Sequence, residues 1–239
     1  MNMTDEFLSK QRLLVIAPHA DDETYGCAGT IARMRSLGAE VYVIVVSVGT
    51  VAHYGVKDDV TGGVRSDELD SVMKYLKVND YDILYRSDQI HLRLDTIPRR
   101  DLVGLIEKES RLAIDRVKPT MLAVPAVSYN QDHEIVFRAC FTACRPHLPQ
   151  YKSFQKIFVA YDNPAISWST EREKFHPNFY IDISAHLESK LGALSLHKSQ
   201  LKPSPHHGSV ESVEYLARVR GREISVDAAE AYMCYRFVL

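Results

Sequence analysis

Residues 40–48, EVYVIVVSV, form a nearly unbroken β-branched run, the strongest strand signal in the chain, and they constrain the fold more than any other segment. A second short apolar run, LLVIAP at 13–18, reads as a strand buried on both faces. Between them Asp21 to Gly38 reads as a helix, with acids near its start and a glycine to stop it. The alternation continues along the chain. Residues 65–77 have helical spacing, DYDILY at 80–85 reads as a strand, and Pro98 opens a long helix to about Lys118. A strand over 119–127 and a helix from Asp132 to Arg145 follow. Strands alternating with helices imply an α/β fold, Rossmann-like and three-layered, with a mostly parallel central sheet and right-handed crossovers.

The last third is less regular, with FQKIFVAYD, FYIDIS, two helical stretches and AYMCYRFVL. No Pro/Gly/Ser linker sets it apart, so the 239 residues are read as a single domain, with about 150–239 a C-terminal elaboration of it. A long polar loop after the 40–48 strand contains Gly49, Gly55, Gly62 and Gly63; a loop of that length in a compact domain is often functional.

A formal net charge of −2 gives no basic field, so nucleic acid is not the expected partner. The N-terminus carries early acids and no signal-peptide pattern, and no apolar run reaches the roughly 18 residues of a membrane span. A cytoplasmic location is the expectation, with homo-oligomerisation left open. Four cysteines, Cys27, Cys140, Cys144 and Cys234, are too scattered for a disulfide framework. Cys140 and Cys144 share a helix face and read as small core residues rather than metal ligands.

In an open parallel sheet, ligands bind beyond the carboxyl ends of the strands. Two such ends are rich in metal-binding groups: Pro18-His19-Ala20-Asp21-Asp22-Glu23 and Tyr129-Asn130-Gln131-Asp132-His133. A catalytic zinc takes about three nitrogen or oxygen ligands and keeps a position open. His19, Asp22 and His133 supply two imidazoles and a carboxylate, leaving Asp21 free to take a proton from water. The alternative is plain: Asp21 or Asp22 caps a helix, and His133 is structural. The two segments meet only if their strands are neighbours.

PHADDE followed by GCAGTIARMRSLGAEVYVIVVS resembles the opening of the PIG-L (LmbE-like) N-acetylglucosaminyl deacetylases. The resemblance continues through RSDELDSVMKYLKV, RLDTIPRRDLVGLIEKE, NQDHEIVFRACFTACRP and a C-terminal A-E-A-Y, and so spans nearly the whole chain. It implies a zinc-dependent hydrolase that removes an acetyl group from an N-acetylated amino sugar, a small-molecule substrate. It implies His19, Asp22 and His133 as zinc ligands, Asp21 as general base and Arg65 as a substrate contact; an Arg65–Glu68 ion pair is the alternative for the last. Asp132 either orients a neighbouring histidine or caps its helix.

The chain departs from the family pattern twice. Ala20 stands where proline is usual, and Asn130 where many members have the first histidine of H-x-D-H. Asn130 still donates a hydrogen bond but does not titrate. Members with asparagine there tend to carry a P-H-P element near KPSPHHGS, which points to His206 as a further oxyanion donor, with His207 in the place of the usual proline. The competing view is that both are exposed loop histidines.

Zinc is the default for this ligand set, with Fe2+, Co2+ or Mn2+ also compatible. Three rival readings stand beside it: the same metal site acting on another sugar- or thiol-conjugate amide, an inactive metal-binding protein, and a nucleotide-binding module suggested by Gly26-Cys27-Ala28-Gly29. The last lacks the G-x-G-x-x-G spacing and an acid at the end of the second strand.

Overall fold

The computed structural model describes residues 2–52, 58–148, 150, 156–163 and 175–238. Residues 53–57 of the polar loop, including Gly55, and the first two residues of FQKIFVAYD lie outside that set. A short helix α1 (Met3–Ser9), capped by the Asn2 side chain, precedes the sheet. The alternating pattern then appears as strands β1 (Arg12–His19), β2 (Glu40–Val48), β3 (Asp80–Arg86) and β4 (Met121–Pro125). Helices α2 (Asp22–Ser36) and α3 (Gly62–Tyr75) connect the first three strands. Gly38, at φ +82°, lets the chain turn out of α2 into β2.

The seven-stranded sheet has the order β3-β2-β1-β4-β5-β7-β6, with β5 (Ile157–Tyr161), β6 (Phe179–Asp182) and β7 (Ala229–Phe237) supplied by the last third of the chain. The first five strands pair in parallel; β7 runs antiparallel to β5, and β6 antiparallel to β7. The chain leaves β3 at one edge and re-enters at β4 on the other side of β1. The winding therefore reverses between β1 and β4.

Alternation along the strands creates two cores. Leu13, Val15 and Ala17 pack with Cys27, Ile31 and Met34 of α2 on one face. Leu14 and Ile16 pack on the other with Leu102 and Ile106, and with Val136 and Cys140 of α6 (Gln131–Ala143). Cys140 and Cys144 are both buried there, and all four cysteines are unbridged.

The long helix read from Pro98 to Lys118 is broken. It consists of α4 (Arg99–Gly104), a wider π turn over Leu105–Glu109, a break at Ser110 and a single turn, α5 (Ile114–Val117). Leu112, Ala113 and Ile114 are all buried. A continuous helix spreads three consecutive residues over more than half its circumference, so they reach one core only if the helix stops.

Two glycines of α2 serve packing. A Cβ on Gly26 would lie 2.2 Å from the Tyr161 ring, and one on Gly29 would lie 2.7 Å from Ile183. Both sit inside the helix rather than in the strand–helix turn, which removes the basis of the nucleotide-binding reading. Two further helices, α7 (Leu187–Leu196) and α8 (Val210–Arg222), complete this side. Lys190 of α7 and Glu230 of β7, paired at 2.6 Å, both grip α2. Glu230 accepts the backbone N–H groups of Gly29 and Thr30 at 2.9 and 2.8 Å, and Lys190 donates to the Tyr25 carbonyl at 2.6 Å.

Because Tyr161 fills the space that Gly26 leaves, Gly26→Val is expected to destabilise the protein by about 1–3 kcal/mol, the usual cost of overpacking. Urea unfolding of the two proteins measures this; an unchanged midpoint would show that α2 is not seated on Tyr161.

Candidate metal and catalytic site

The strand-end segments that carry the candidate ligands are brought together because β1 pairs with β4, Leu13, Leu14 and Val15 facing Met121, Leu122 and Ala123. The donor atoms of His19, Asp22 and His133 all lie within 4.8 Å of one another, and all three residues are buried. Asp22 stands between the imidazoles, one oxygen 3.2 Å from His19 Nδ1 and the other 3.3 Å from His133 Nε2.

Both imidazoles are held from behind. His19 Nε2 meets the Asp132 carboxylate at 2.8 Å, and the other Asp132 oxygen accepts the Leu94 N–H at 2.9 Å. A proton on Nε2 leaves His19 Nδ1 facing Asp22 as the coordinating atom. The amide of Asn163 lies against His133 Nδ1, 3.2 Å from it. It is the amide nitrogen that faces Nδ1; a 180° flip of that amide, which puts its oxygen on an Nδ1–H, leaves the His133 Nε2 lone pair free to bind a metal. Two nitrogens and a carboxylate, oriented in this way, fit a divalent ion such as zinc.

The electrostatics favour a cation as well. Burial works against charge on His19, but Asp132 and Asp22 outweigh it and hold its pKa up to about 9. Burial would raise Asp22, yet His133 and His19 drive it far below the ordinary carboxylate range. Asp21 goes the other way: burial and the neighbouring charge of Asp22 raise it to about 6, against the pull of Arg65 and His197. A divalent ion at the ligands adds positive charge that draws Asp21 down again.

Neither aspartate caps α2. Asp21 makes no side-chain capping bond and holds φ +138°, a strained value for a residue with a Cβ. Asp22 spends an oxygen on the His19 N–H at 3.0 Å. The Asp21 backbone is fixed by Glu23, whose carboxylate accepts the Asp21 N–H at 3.0 Å. Glu23 in turn meets Thr24 Oγ at 2.8 Å and the fully buried His197 at 3.1 Å.

Asn130 caps α6, its oxygen accepting the N–H groups of Asp132 and His133 at 2.9 and 3.4 Å. That leaves the capping role to Asn130 and frees Asp132 to hold His19. The oxygen being used, the Asn130 side chain can offer only its Nδ2–H groups to the cleft it lines. The cleft, about 240 Å3, is also lined by His19, Asp21, Asp22, His133 and His206. His206 is exposed on its rim and stacked on His207. Its Nδ1 accepts the Gly208 N–H at 3.0 Å, which places the proton of the neutral ring on Nε2.

Arg65 is placed differently from the substrate contact expected of it. It is 3% exposed, and its guanidinium donates to the Ala20 carbonyl at 3.1 Å and meets His91 Nε2. With those donors engaged it braces the turn that carries Asp21, and it does not line the cleft. The alternative Arg65–Glu68 pair does not form either, since Glu68 accepts from Ser199 N and Oγ at 2.8 and 2.6 Å.

His91, Asn163 and His197 were missed in the sequence. His91 packs edge-on to the His19 ring, 5.2 Å between centroids, and bonds Ser47 Oγ at 3.0 Å. Burial, with the charges of His19 and Arg65, depresses its pKa to about 3 and keeps it neutral. His91 and Asn163 follow the carboxyl ends of β3 and β5, so the strand-end rule applied to every strand finds both. His197 has no such signal, lying far from any parallel strand end.

The PIG-L family model, described as GlcNAc-PI de-N-acetylase, matches residues 14–144, more than half of the chain. A probable N-acetyl-alpha-D-glucosaminyl L-malate deacetylase 2 of Bacillus subtilis is 26% identical over 202 residues, covering 80% of this chain and 84% of its own. Among solved structures, the N,N'-diacetylchitobiose deacetylase of Pyrococcus horikoshii superposes with a TM-score of 0.69 at 20% identity, over 98% of this chain and 87% of that one. The 4-carboxy-2-hydroxymuconate hydratase GalB of Pseudomonas putida superposes with a TM-score of 0.70 at 16% identity, over 96% and 98%. The same fold thus carries a hydratase too, and the fold alone does not choose the reaction.

If Asp132 orients His19 for a metal, Asp132→Ala should weaken divalent-ion affinity by about 10–100-fold, the usual effect of losing such support. Competition with a chromophoric chelator reads this without any substrate; unchanged affinity would remove Asp132 from the site.

Proposed function

Because the chain belongs to the PIG-L family, we propose that it is a zinc-dependent hydrolase that removes the N-acetyl group from an amino sugar of the N-acetylglucosamine type, releasing acetate. The observation that carries this reading is the convergence of His19, Asp22 and His133 at the β1–β4 ends with Asp21 beside them in the same cleft. A divalent ion held by those three residues would polarise the acyl carbonyl and lower the pKa of water toward about 7.

The chain's own groups account for the proton traffic. Asp21 takes a proton from the attacking water, whose oxygen bonds to the acyl carbon. As the C–N bond breaks, Asp21 returns that proton to the amine nitrogen. The strained backbone of Asp21, held by Glu23, fixes the base relative to the ligand Asp22 that follows it. Negative charge on the carbonyl oxygen is met by an N–H of Asn130 or by Nε2–H of His206, the donor end left by the Gly208 bond. Arg65 acts through the Ala20 carbonyl, holding the turn.

Acetate release from free, oligomeric and nucleotide-linked N-acetylglucosamine tests the reading. Asp21→Asn is expected to lower kcat by about 10²–10⁴ with metal content unchanged. His206→Ala should lower it by about 10²–10³, the scale of one oxyanion donor. Wild-type kcat in His206→Ala with metal fully bound would remove His206 from catalysis. Metal-loaded wild-type protein that releases no acetate from any of these sugars would contradict the assignment.

A further inference from the structure

We propose that a second cavity, beyond Tyr25 and Asn163, is an acyl subsite, and that the chain hydrolyses amino sugars whose N-acyl group is longer than acetyl. The inference rests on the amide-hydrolase reading and extends it to the acyl side of the substrate. The cavity, about 270 Å3, is bounded by α2, α8 and β7, and it shares Tyr25, Asn163 and His207 with the cleft over the candidate ligands. Asn163 is at once a wall of this cavity and the group that holds His133. The space therefore begins one side chain away from where the acyl carbon must sit. A single water needs only about 10–15 Å3, so the cavity far exceeds what an acetyl methyl requires.

The chemistry of the walls identifies the occupant. The charged groups facing the cavity satisfy one another: Lys190 is paired with Glu230 at 2.6 Å, and Arg220 with Asp162 at 3.0 Å. Ser212 Oγ donates to the His206 carbonyl at 2.9 Å, and Tyr25 donates its hydroxyl to the Gly208 carbonyl at 2.9 Å. Sugar hydroxyls entering here would give up water for walls whose polar groups, His207 at the boundary with the cleft excepted, are already engaged. What remains is alkyl surface from Val213, Leu216, Ala217, Ala229 and Ala231. An alkyl chain gains from such surface by leaving water and asks for no hydrogen bond. The reaction is unchanged in form: water oxygen joins the acyl carbon, the C–N bond breaks, the amine takes a proton, and a longer carboxylic acid leaves in place of acetate.

The test compares kcat/KM for N-acetyl-, N-propionyl-, N-butyryl- and N-hexanoylglucosamine on metal-loaded protein, beside Leu216→Trp, which fills the cavity from a half-buried position. Burying one methylene corresponds to about a fourfold gain, so wild-type kcat/KM should rise about fourfold per added carbon until the cavity is full. The butyryl-to-acetyl ratio should then fall below one in Leu216→Trp. Should that variant fail to fold, Ala217→Ile is the smaller filling change for the same ratio. Acetyl turnover with kcat/KM falling at each added carbon would overturn the subsite and leave the hydrolase reading standing. A gain from extending the sugar at its anomeric position, lost in Leu216→Trp, would also overturn it by assigning the cavity to the leaving sugar. If no N-acyl sugar is hydrolysed, calorimetry with acetate, butanoate and hexanoate still decides. Tighter binding of the longer acids, lost on filling, sustains the cavity while the hydrolase reading fails; equal binding overturns the cavity as well.

Discussion

Leu13, Leu14 and Val15 of β1 lie in parallel register with Met121, Leu122 and Ala123 of β4, and the rest of the site depends on that ladder. The two strands are more than a hundred residues apart in sequence, and the chain crosses from β3 over β1 to pair them. At such a reversal the loops leaving adjacent strands diverge to opposite faces and open a crevice between them. His19 and Asp22 enter it from one side, Asn130, Asp132 and His133 from the other. Displacing either strand by one residue would move alternate side chains to the opposite face and separate the ligand pair.

Around that crevice the protein holds donors in place with buried charge. Asp132 stands behind His19 and Asn163 behind His133; Glu23 and His197 hold the backbone beneath Asp21, and Arg65 holds Ala20. Each support removes a rotational freedom that a metal or a reacting group would otherwise have to restrict when it binds. Most buried polar groups here meet a partner, with Arg65 Nε and His197 Nδ1 the exceptions among the described supports. The Lys190–Glu230 pair does similar service further out. It fixes α2, and hence Tyr25, against β7, between the cleft and the second cavity.

Much of the fold was legible because local pattern and tertiary role agree. The run EVYVIVVSV became β2 with the same bounds, since a strand covered on both faces has no choice but to be apolar throughout. The Asp21–Gly38 helix appeared within a residue or two of its expected ends. The 98–118 segment differs because burial of Leu112, Ala113 and Ile114 overrides helical continuity, a tertiary demand that helical spacing does not display. At the site, residue types after strand ends marked the candidate ligands, but neighbouring strands had to be found before the two groups could meet. Arg65 illustrates the limit: its type suits a substrate anion equally well, and its burial against His91 and Ala20 is not legible from the sequence. Glu23 sat in the motif itself, yet its partner His197 is 174 residues away.

His19, Asp22 and His133 converge in the β1–β4 crevice as a group that could hold one divalent ion. Anomalous diffraction at the zinc edge, from crystals of the full chain grown with zinc, tests it most directly. The account predicts one strong peak per chain, at about 2.0–2.2 Å from His19 Nδ1, an Asp22 oxygen and His133 Nε2, with a coordination position open toward Asp21. A peak ligated by other residues, or no peak in this crevice at saturating zinc, would contradict it.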